Sequence, residues 1–244
     1  MFLSGTLLNV AAVLVGTTAG LLLGARMPRG MQGSLTTGLG LYTLVLGVSM
    51  ALRIFTDPKA DAGDNLAVLA ALLLGLAIGE LLRLHDRLGE LGAWFQRRLS
   101  RGDRPSRISE GFVTASLVFC VGPLTILGSL DNGLRGDMTL LAVKSLLDGV
   151  ASIAFAAALG PGVYLSALTV LLVQGGIAAG AFLLRNVMDT ETVLVASATG
   201  GLMLLGVGLR LLEVKAVRVA NFLPGLVLAP IFVRLADAVR VLLS

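Results

Sequence analysis

Two oppositely charged residues, Lys144 and Asp148, lie four positions apart in the apolar segment KSLLDGVASIAFAAALG. Residues at this spacing share one face of an α-helix, so each charge can neutralise the other. Inside a membrane an ionisable side chain costs about 2.5–3.5 kcal/mol on insertion scales and usually faces a partner or a watery cavity. We expect both side chains to point inward, towards each other or towards a polar partner such as Asn132 or Gln174. The pair is either part of a solute pathway or an ion pair that only stabilises helix packing.

A helix break is expected shortly before this pair. Gly122 and Pro123 fall inside the apolar segment FCVGPLTILGSL, where proline removes a backbone hydrogen bond and clashes with the preceding turn. A broken membrane helix exposes backbone groups that protein or ligand must satisfy, and such breaks are typical of transport sites. Thr125 and Ser129 add hydroxyl groups near the break. The alternative is a simple proline kink without a site.

The polar stretch SLDNGLRGD follows the break and predicts a turn at the outer membrane surface. Asn132 and Gly133 are residue types that supply positive φ values in turns. Asp131 and Asp137 either cap the adjoining helices or form an entrance that concentrates cations and polar solutes.

Polar residues on other segments complete the set of candidates. Asn9 and Gln174 lie in two similar apolar segments, where they either make interhelical hydrogen bonds or line the pathway. Glu80 is expected to pair with Arg83, and Asn221 to cap the last helix.

The sequence gives no support to enzymatic or metal chemistry. Cys120 is the single cysteine and His85 the single histidine, so neither a disulfide framework nor a His/Cys/Glu cluster at metal spacing is present. No phosphate-binding Gly-Lys-Ser/Thr loop occurs, and no serine pairs with a histidine inside a membrane segment. We therefore predict that the protein is not an enzyme and uses no metal or cofactor.

The composition indicates an all-α, polytopic membrane helix bundle. Of the 244 residues, 56% are hydrophobic and 14% are charged, against about 25% charged residues in a soluble domain. The net charge is +4, but the arginines lie between apolar runs rather than on a basic face with aromatic residues, which argues against nucleic acid binding. A membrane helix needs about 20 apolar residues. On this basis we predict eight membrane segments, at 3–24, 35–53, 66–84, 111–130, 139–159, 163–184, 192–212 and 219–240.

The orientation is predicted from segment 83–107, which holds seven arginines. Positive residues are retained on the cytoplasmic side of a membrane. Loop 85–109 is therefore expected in the cytoplasm and both termini outside. Its leucines recur at helical spacing, so the loop is either an amphipathic helix along the lipid headgroups or a solvated linker.

An internal repeat is predicted from a shift of 160 residues along the chain. LNVAAVLVGTTAGLLLG and LTVLLVQGGIAAGAFLL agree at seven of 17 positions, including the pairs Gly16/Gly20 and Gly176/Gly180. Such Gly-xxx-Gly pairs let helix backbones approach closely in a membrane. We predict inverted three-helix repeats around a central two-helix insert. The resulting parts are 1–84 (first repeat), 85–109 (basic linker), 110–159 (central broken-helix hairpin) and 160–244 (second repeat).

The motifs FCVGPLTILGSLDNGLRGD, KSLLDGVASIAFAAALGPGVYLSA, VLLVQGG and VANFLPGLVLAP carry a family resemblance. Together they resemble the YqgA-like family of bacterial inner-membrane proteins, also classed as domain-of-unknown-function family 554, over essentially the whole chain. The resemblance implies a multi-pass protein of the bacterial inner (plasma) membrane. It supplies no map of catalytic residues.

The leading functional prediction is a secondary transporter or ion-coupled permease for a small solute, with its site between the repeats and the central hairpin. The expected partners are the lipid bilayer and a small solute or ion. The sequence leaves open whether the protein forms a homo-oligomer. The alternatives are a non-transporting membrane scaffold or assembly factor, and an ion channel. A water-accessible cavity that converges on Asp148 favours transport, whereas a dry and fully paired core favours a scaffold.

Overall fold

All regular elements of the described chain are helices. The computed structural model describes residues 3–88, 90, 105–120, 122–184 and 189–243. We number the α-helices in chain order, and a 3-10 turn, Val219–Phe222, precedes the last of them. The helices are α1 (Ser4–Arg26), α2 (Arg29–Thr56), α3 (Ala62–Leu81), α4 (Pro105–Cys120), α5 (Pro123–Arg135), α6 (Thr139–Leu159), α7 (Val163–Ala179), α8 (Ala181–Leu184), α9 (Thr190–Leu211) and α10 (Leu223–Leu243).

Six helical segments of the described chain are long and apolar enough to cross a membrane. They are α1, α2 from Gly30, α3, α6, α9 and the segment Val219–Ala236. Helices α4 and α5 meet the same test only as a pair, which is bent by 62°. Helix α7 is apolar but has 17 residues, so its length of about 25 Å is short for a hydrocarbon core of about 30 Å.

The distribution of side chains fits a lipid environment. Large apolar residues such as Val15, Phe55 and Leu172 are 65–72% exposed on the outer faces of their helices. Polar residues such as Asn9, Thr43 and Thr199, in contrast, are buried within the helix bundle. In water this arrangement would leave many large apolar side chains exposed, so we expect the outer faces to contact acyl chains.

The helices run between two ends of the bundle, and their contacts show which neighbours are parallel and which are antiparallel. Helix α1 runs parallel to α6, because Gly5 lies against Leu141 and Gly24 against Ala157. Helices α2 and α9 are antiparallel partners, and so are α3 and α10. The end that holds residues 57–61, 136–138 and the start of α9 is called the acidic end, and the end that holds residues 82–88, 160–162 and 212–218 is called the basic end.

The broken pair α4–α5 connects these two ends. The start of α4 lies at the basic end, where Ile108 contacts Gly162. The far end of α5 lies at the acidic end, where Asn132 contacts the start of α1. The sequence-predicted break at Gly122–Pro123 is confirmed, and so is the turn at 160–162 between α6 and α7. The number of membrane crossings stays a prediction.

Three local predictions are wrong. Asn132 and Gly133 lie inside α5 rather than in a turn, and the positive φ of 71° belongs to Gly136. Glu80 pairs with Arg218 at 3.6 Å, not with its sequence neighbour Arg83. Asn221 does not cap a helix. Its Oδ1 atom instead accepts a hydrogen bond from the backbone N–H of His85 at 2.7 Å.

The predicted duplication has mixed support. The first and last three long elements, α1–α3 and α7 with α9 and α10, run in opposite directions, as inverted repeats require. The two Gly-xxx-Gly pairs, however, have different surroundings. Gly20 faces the backbone of α6, whereas a Cβ atom on Gly176 would meet nothing within 4 Å. The duplication and the predicted domain division stay predictions, and most of the basic linker lies outside the described residues.

Candidate functional site

Close packing of α1 against α6 positions the candidate site. Gly16 and Gly20 face the backbone of α6 at Gly149 and Ile153, so a Cβ atom at either glycine would collide with a carbonyl oxygen. Small residues on both helices allow this approach, as in other membrane helix pairs. The polar residue Asn9, two turns before Gly16, is thereby brought directly against α6.

An ion pair with a neutral partner forms the centre of the site. Lys144 Nζ lies 3.1 Å from Asp148 Oδ1 and 3.0 Å from Oδ2. Asn9 Nδ2 donates to Asp148 Oδ2 at 2.8 Å. Lys144 is 6% exposed, Asp148 is 5% exposed and Asn9 is fully buried. The expectation that both charges point inward and meet each other agrees with this geometry, but the shared partner is Asn9 rather than Asn132 or Gln174.

Asp148 lies near the middle of its helix. It is nine residues from the start of the 21-residue α6, or about 14 Å along a helix of about 32 Å. The hydroxyl groups of Ser145 and Ser152 donate to carbonyls of the same helix, at 2.6 and 2.7 Å, and Ser152 uses the carbonyl of Asp148 itself. These serines are therefore satisfied within α6, and the charged pair depends on other helices for further contacts.

The broken helix adjoins the ion pair. Gly122 has a φ of 149°, which favours glycine, and Pro123 begins α5 at the first helical position. Thr125 Oγ1 donates to the carbonyl of Phe119 at 3.0 Å, so this hydroxyl satisfies a carbonyl that the break leaves free. Cys120, the last residue of α4, lies within electrostatic range of both Lys144 and Asp148. Part of the polar backbone at the break is thus already paired.

The acidic-end candidates have structural roles. Asn132 is buried between α5 and α1, where its Oδ1 accepts from the N–H of Gly5 at 3.2 Å and its Nδ2 donates to Ser4 Oγ at 3.3 Å. Asp137 is exposed and accepts from the N–H of Thr139 at 2.9 Å. Hydrogen bonding by the side chain of Thr139, together with this bond from its backbone N–H, lowers the pKa of Asp137. Met138 is the N-cap residue of α6, and no side chain caps that end of the helix. Asp131 is partly exposed on α5.

Several buried polar atoms on α1, α5 and α7, helices that contact α6, have no hydrogen-bond partner among the described residues. The side chains of Thr6, Asn9, Ser129 and Gln174 are all fully buried. The unpaired atoms are Thr6 Oγ1, Asn9 Oδ1, Ser129 Oγ and both amide atoms of Gln174. Unpaired buried polar groups are rare in proteins, and a bound water or ion is one common explanation. Ser129 and Gln174 therefore remain candidate site residues on the strength of these atoms.

A large apolar cavity lies on the other side of the break. Its volume is about 780 Å³, within the range of about 300–1,000 Å³ that small-molecule sites occupy. It is bounded by α4, α5, α7, α9 and α10, and its polar contribution is mainly the hydrogen-bonded pair Ser116 and Thr169, 3.0 Å apart. Cys120 and Gly122 line it, but Lys144 and Asp148 do not. The cavity reaches the break without converging on Asp148.

No group of three or more His, Cys, Asp or Glu side chains that could hold a metal ion occurs within the described ranges. Sequence reasoning expected Asn9 either to make an interhelical hydrogen bond or to line the pathway, but did not identify Asp148 as its partner. The sequence signal for this bond is the row of glycines on α1, which packs against the small residues Gly149, Ser152 and Ala156 of α6. This match can be recognised only when α1 is known to pair with α6.

The fold and the site define a polytopic α-helical membrane protein with a buried ion pair beside a broken helix. The chain belongs to the family described as "Protein of unknown function (DUF554)", whose model matches residues 4–234. It is 33% identical over 229 residues to the Escherichia coli (strain K12) "Uncharacterized protein YqgA", with 92% of this chain and 94% of that protein covered. It is 28% identical over 229 residues to the Bacillus subtilis (strain 168) "Uncharacterized membrane protein YdfK", with 94% and 95% covered. No solved structure matches the chain significantly.

Proposed function

We propose that the protein is a secondary transporter or ion-coupled permease for a small polar solute, with Asp148 at its binding site. The observation that carries the proposal is the combination of a buried Lys144–Asp148 pair with unpaired polar atoms on three neighbouring helices. Charged residues at mid-membrane depth, held beside a discontinuous helix, are the recurrent construction of transporter sites.

The orientation is part of this proposal. The basic end carries Arg83, Arg87, Lys215 and Arg218, so the positive-inside rule places it in the cytoplasm of a bacterial inner membrane and both termini outside. Single cysteines at Lys215 and at Thr56 of the acidic end, in a Cys120→Ala background, test it. A membrane-impermeant thiol reagent added to whole cells should label position 56 and leave position 215 unlabelled. The reverse pattern would reject the orientation.

A non-transporting scaffold or assembly factor is the second candidate. It is favoured by the direct pairing of Lys144 with Asp148 and by the tight packing of α1 on α6. It is also favoured by the apolar cavity beside the break, whose lining does not include Asp148. In this case the same polar residues hold helices together and no solute binds. An ion channel has no specific observation in its favour, since the cavity beside the break is apolar.

A ligand screen distinguishes transporter from scaffold. The purified protein in detergent is heated in the presence of panels of small solutes, because a ligand that binds the folded state raises its melting temperature. A transporter should respond to a narrow chemical class, and proteoliposomes should then accumulate that class under an ion gradient. The matched control is Asp148→Asn, which should lose the response. A response that survives in Asp148→Asn would exclude Asp148 as the site.

A further inference from the structure

The apolar cavity beside the break is elongated along the helix axes. On α7 its lining includes Thr169, Val173 and Ile177, which recur at every fourth residue and so form one stripe along the helix. Similar stripes on α4 and α10 lie within Phe112–Cys120 and Leu223–Ile231. Each stripe spans about 12 Å of helix, at about 1.5 Å per residue. Such an elongated shape suits an extended chain better than a compact solute.

The described lining of this cavity offers hydrocarbon contacts and almost no polar ones. The hydroxyl groups of Ser116 and Thr169 bond each other at 3.0 Å, and Cys120 contributes a thiol that behaves as a small apolar group. Water does not readily fill apolar cavities, because it needs polar partners. A space of about 780 Å³ without an occupant would deprive its lining of dispersion contacts. The occupant that this chemistry favours is a hydrocarbon chain.

The cavity opens on the outer surface of the bundle. Among the described residues, α7 packs on α1, α4 and α5, and α10 packs on α3 and α9, but α7 and α10 form no packed interface with each other. Both helices line the cavity, so the gap between them leads into it. Val227 and Ile231 line the cavity and are still 70% and 55% exposed. Both lie in the segment Val219–Ala236, which is long and apolar enough to cross a membrane, so the opening faces acyl chains.

We infer that this cavity binds one acyl chain of a membrane phospholipid, which enters sideways between α7 and α10. From Leu88 at the basic end the lining extends to Gly122 at the break. One leaflet provides acyl chains over a depth of about 15 Å, half of the hydrocarbon core. A phospholipid whose headgroup lies at the basic end therefore places its chain along the stripes of α4 and α10 and against the break.

The lipid site is separate from the buried ion pair, because neither Lys144 nor Asp148 lines the cavity. It goes beyond the proposed function and is independent of any transport activity. A bound chain contacts α4, α7 and α10 together, and it thereby connects α7 with α10, which do not pack on each other. Because a ligand that binds only the folded state stabilises it, loss of the chain should lower the melting temperature.

The test combines phospholipid retention with lipid-dependent thermal stability of the purified full-length protein in detergent. Native mass spectrometry should detect one phospholipid per protein molecule after mild purification, and a prolonged wash with excess detergent should remove it. Phosphatidylethanolamine added back to the washed protein should raise its melting temperature. Glycerophosphoethanolamine, which has the same headgroup without acyl chains, should have no effect. The two additions separate recognition of the chain from recognition of the headgroup.

Variants that fill the cavity locate the bound chain. Val173→Phe and Ala196→Phe add volume from two different walls, α7 and α9, so each should lower the amount of retained phospholipid at least tenfold. After the wash, both variants should melt at or above the temperature of the washed wild type, because the aromatic ring restores contacts in the apolar space. Leu172→Phe is the matched control, since Leu172 is next to Val173 but is 65% exposed and does not line the cavity. This variant should retain phospholipid like the wild type.

Three results would overturn the lipid site. One is phospholipid retention by Val173→Phe and Ala196→Phe that equals retention by Leu172→Phe. Another is a washed wild type whose melting temperature does not respond to phosphatidylethanolamine. The third is an equal response to glycerophosphoethanolamine, which would assign the effect to the headgroup. If the wash itself unfolds the wild type, the two cavity-filling variants should stay folded under the same wash, and their unfolding alongside it would count against the site.

Discussion

Removal of one or both charges of the Lys144–Asp148 pair measures how strongly the buried site depends on it. Lys144→Met leaves the Asp148 carboxylate 5% exposed with the Asn9 amide as its remaining described donor. Asp148→Leu leaves the Lys144 ammonium without its carboxylate. A buried charge that has lost its partner costs about 3–5 kcal/mol, so each single substitution should lower the free energy of unfolding by about that amount.

The double substitution should cost less than either single one. Lys144→Met with Asp148→Leu removes both charges and leaves only Asn9 Nδ2 without its acceptor. An unsatisfied buried amide costs about 1–3 kcal/mol. The two single effects should therefore be non-additive by at least about 3 kcal/mol, which is at the upper end of measured couplings between residues in contact.

The assay is equilibrium unfolding of the purified variants in detergent micelles, followed by far-UV circular dichroism. Arg218→Met is the control, because its pair with Glu80 is about half exposed and surface pairs contribute about 0–1 kcal/mol. If the double substitution costs as much as the sum of the single ones, the two side chains do not interact in the folded protein. The site geometry would then be wrong.

Other predictions concern packing and pH. Gly20→Ala should lower the free energy of unfolding by about 1–3 kcal/mol, because the new Cβ atom would meet the backbone of α6. Gly176→Ala should leave this free energy unchanged or raise it by up to about 1 kcal/mol. Unfolding curves of the two variants, measured in parallel, test the difference. Asn221→Ala should cost about 1–3 kcal/mol, because it leaves the N–H of His85 unpaired, and the same assay measures it. Burial, aided by the positive charge of Arg210, lowers the pKa of His85. As the pH falls, the unfolded chain therefore takes up a proton at His85 before the folded protein does. The free energy of unfolding should fall as the pH drops from about 6.5 towards the lower pKa of His85 in the folded protein. An NMR titration of the imidazole resonance of His85 measures this folded-state pKa.

Features set by local backbone chemistry could be predicted from the sequence. The break at Gly122–Pro123 and the turn at 160–162 could be predicted because glycine and proline change the backbone conformation of the residues next to them in sequence. The inward direction of Lys144 and Asp148 followed from the cost of placing charge against lipid. None of these inferences required knowledge of which helices are neighbours.

Features that depend on helix pairing could not be predicted in the same way. Asn132 and Gly133 resemble a turn locally, yet α5 continues through them because Asn132 binds the start of α1 and Gly133 lets α7 approach closely. Glu80 has Arg83 one turn away, but Arg218, distant in sequence, is brought to it by the pairing of α3 with the start of α10. The bond from Asn9 to Asp148 likewise exists because α1 packs on α6.

Stability alone is a weak reason for the polar centre of this protein. A buried ion pair can often be replaced by apolar residues of similar volume with no loss, or with a gain of about 1–4 kcal/mol. Here the pair is accompanied by unpaired oxygens on Ser129 and Gln174, each of which opposes folding. A scaffold that needed only tight helix contacts already has them in the glycine stripe of α1. The polar centre therefore destabilises the folded protein unless a ligand binds there. This is the physical reason to prefer a binding and transport role for Asp148 over a packing role.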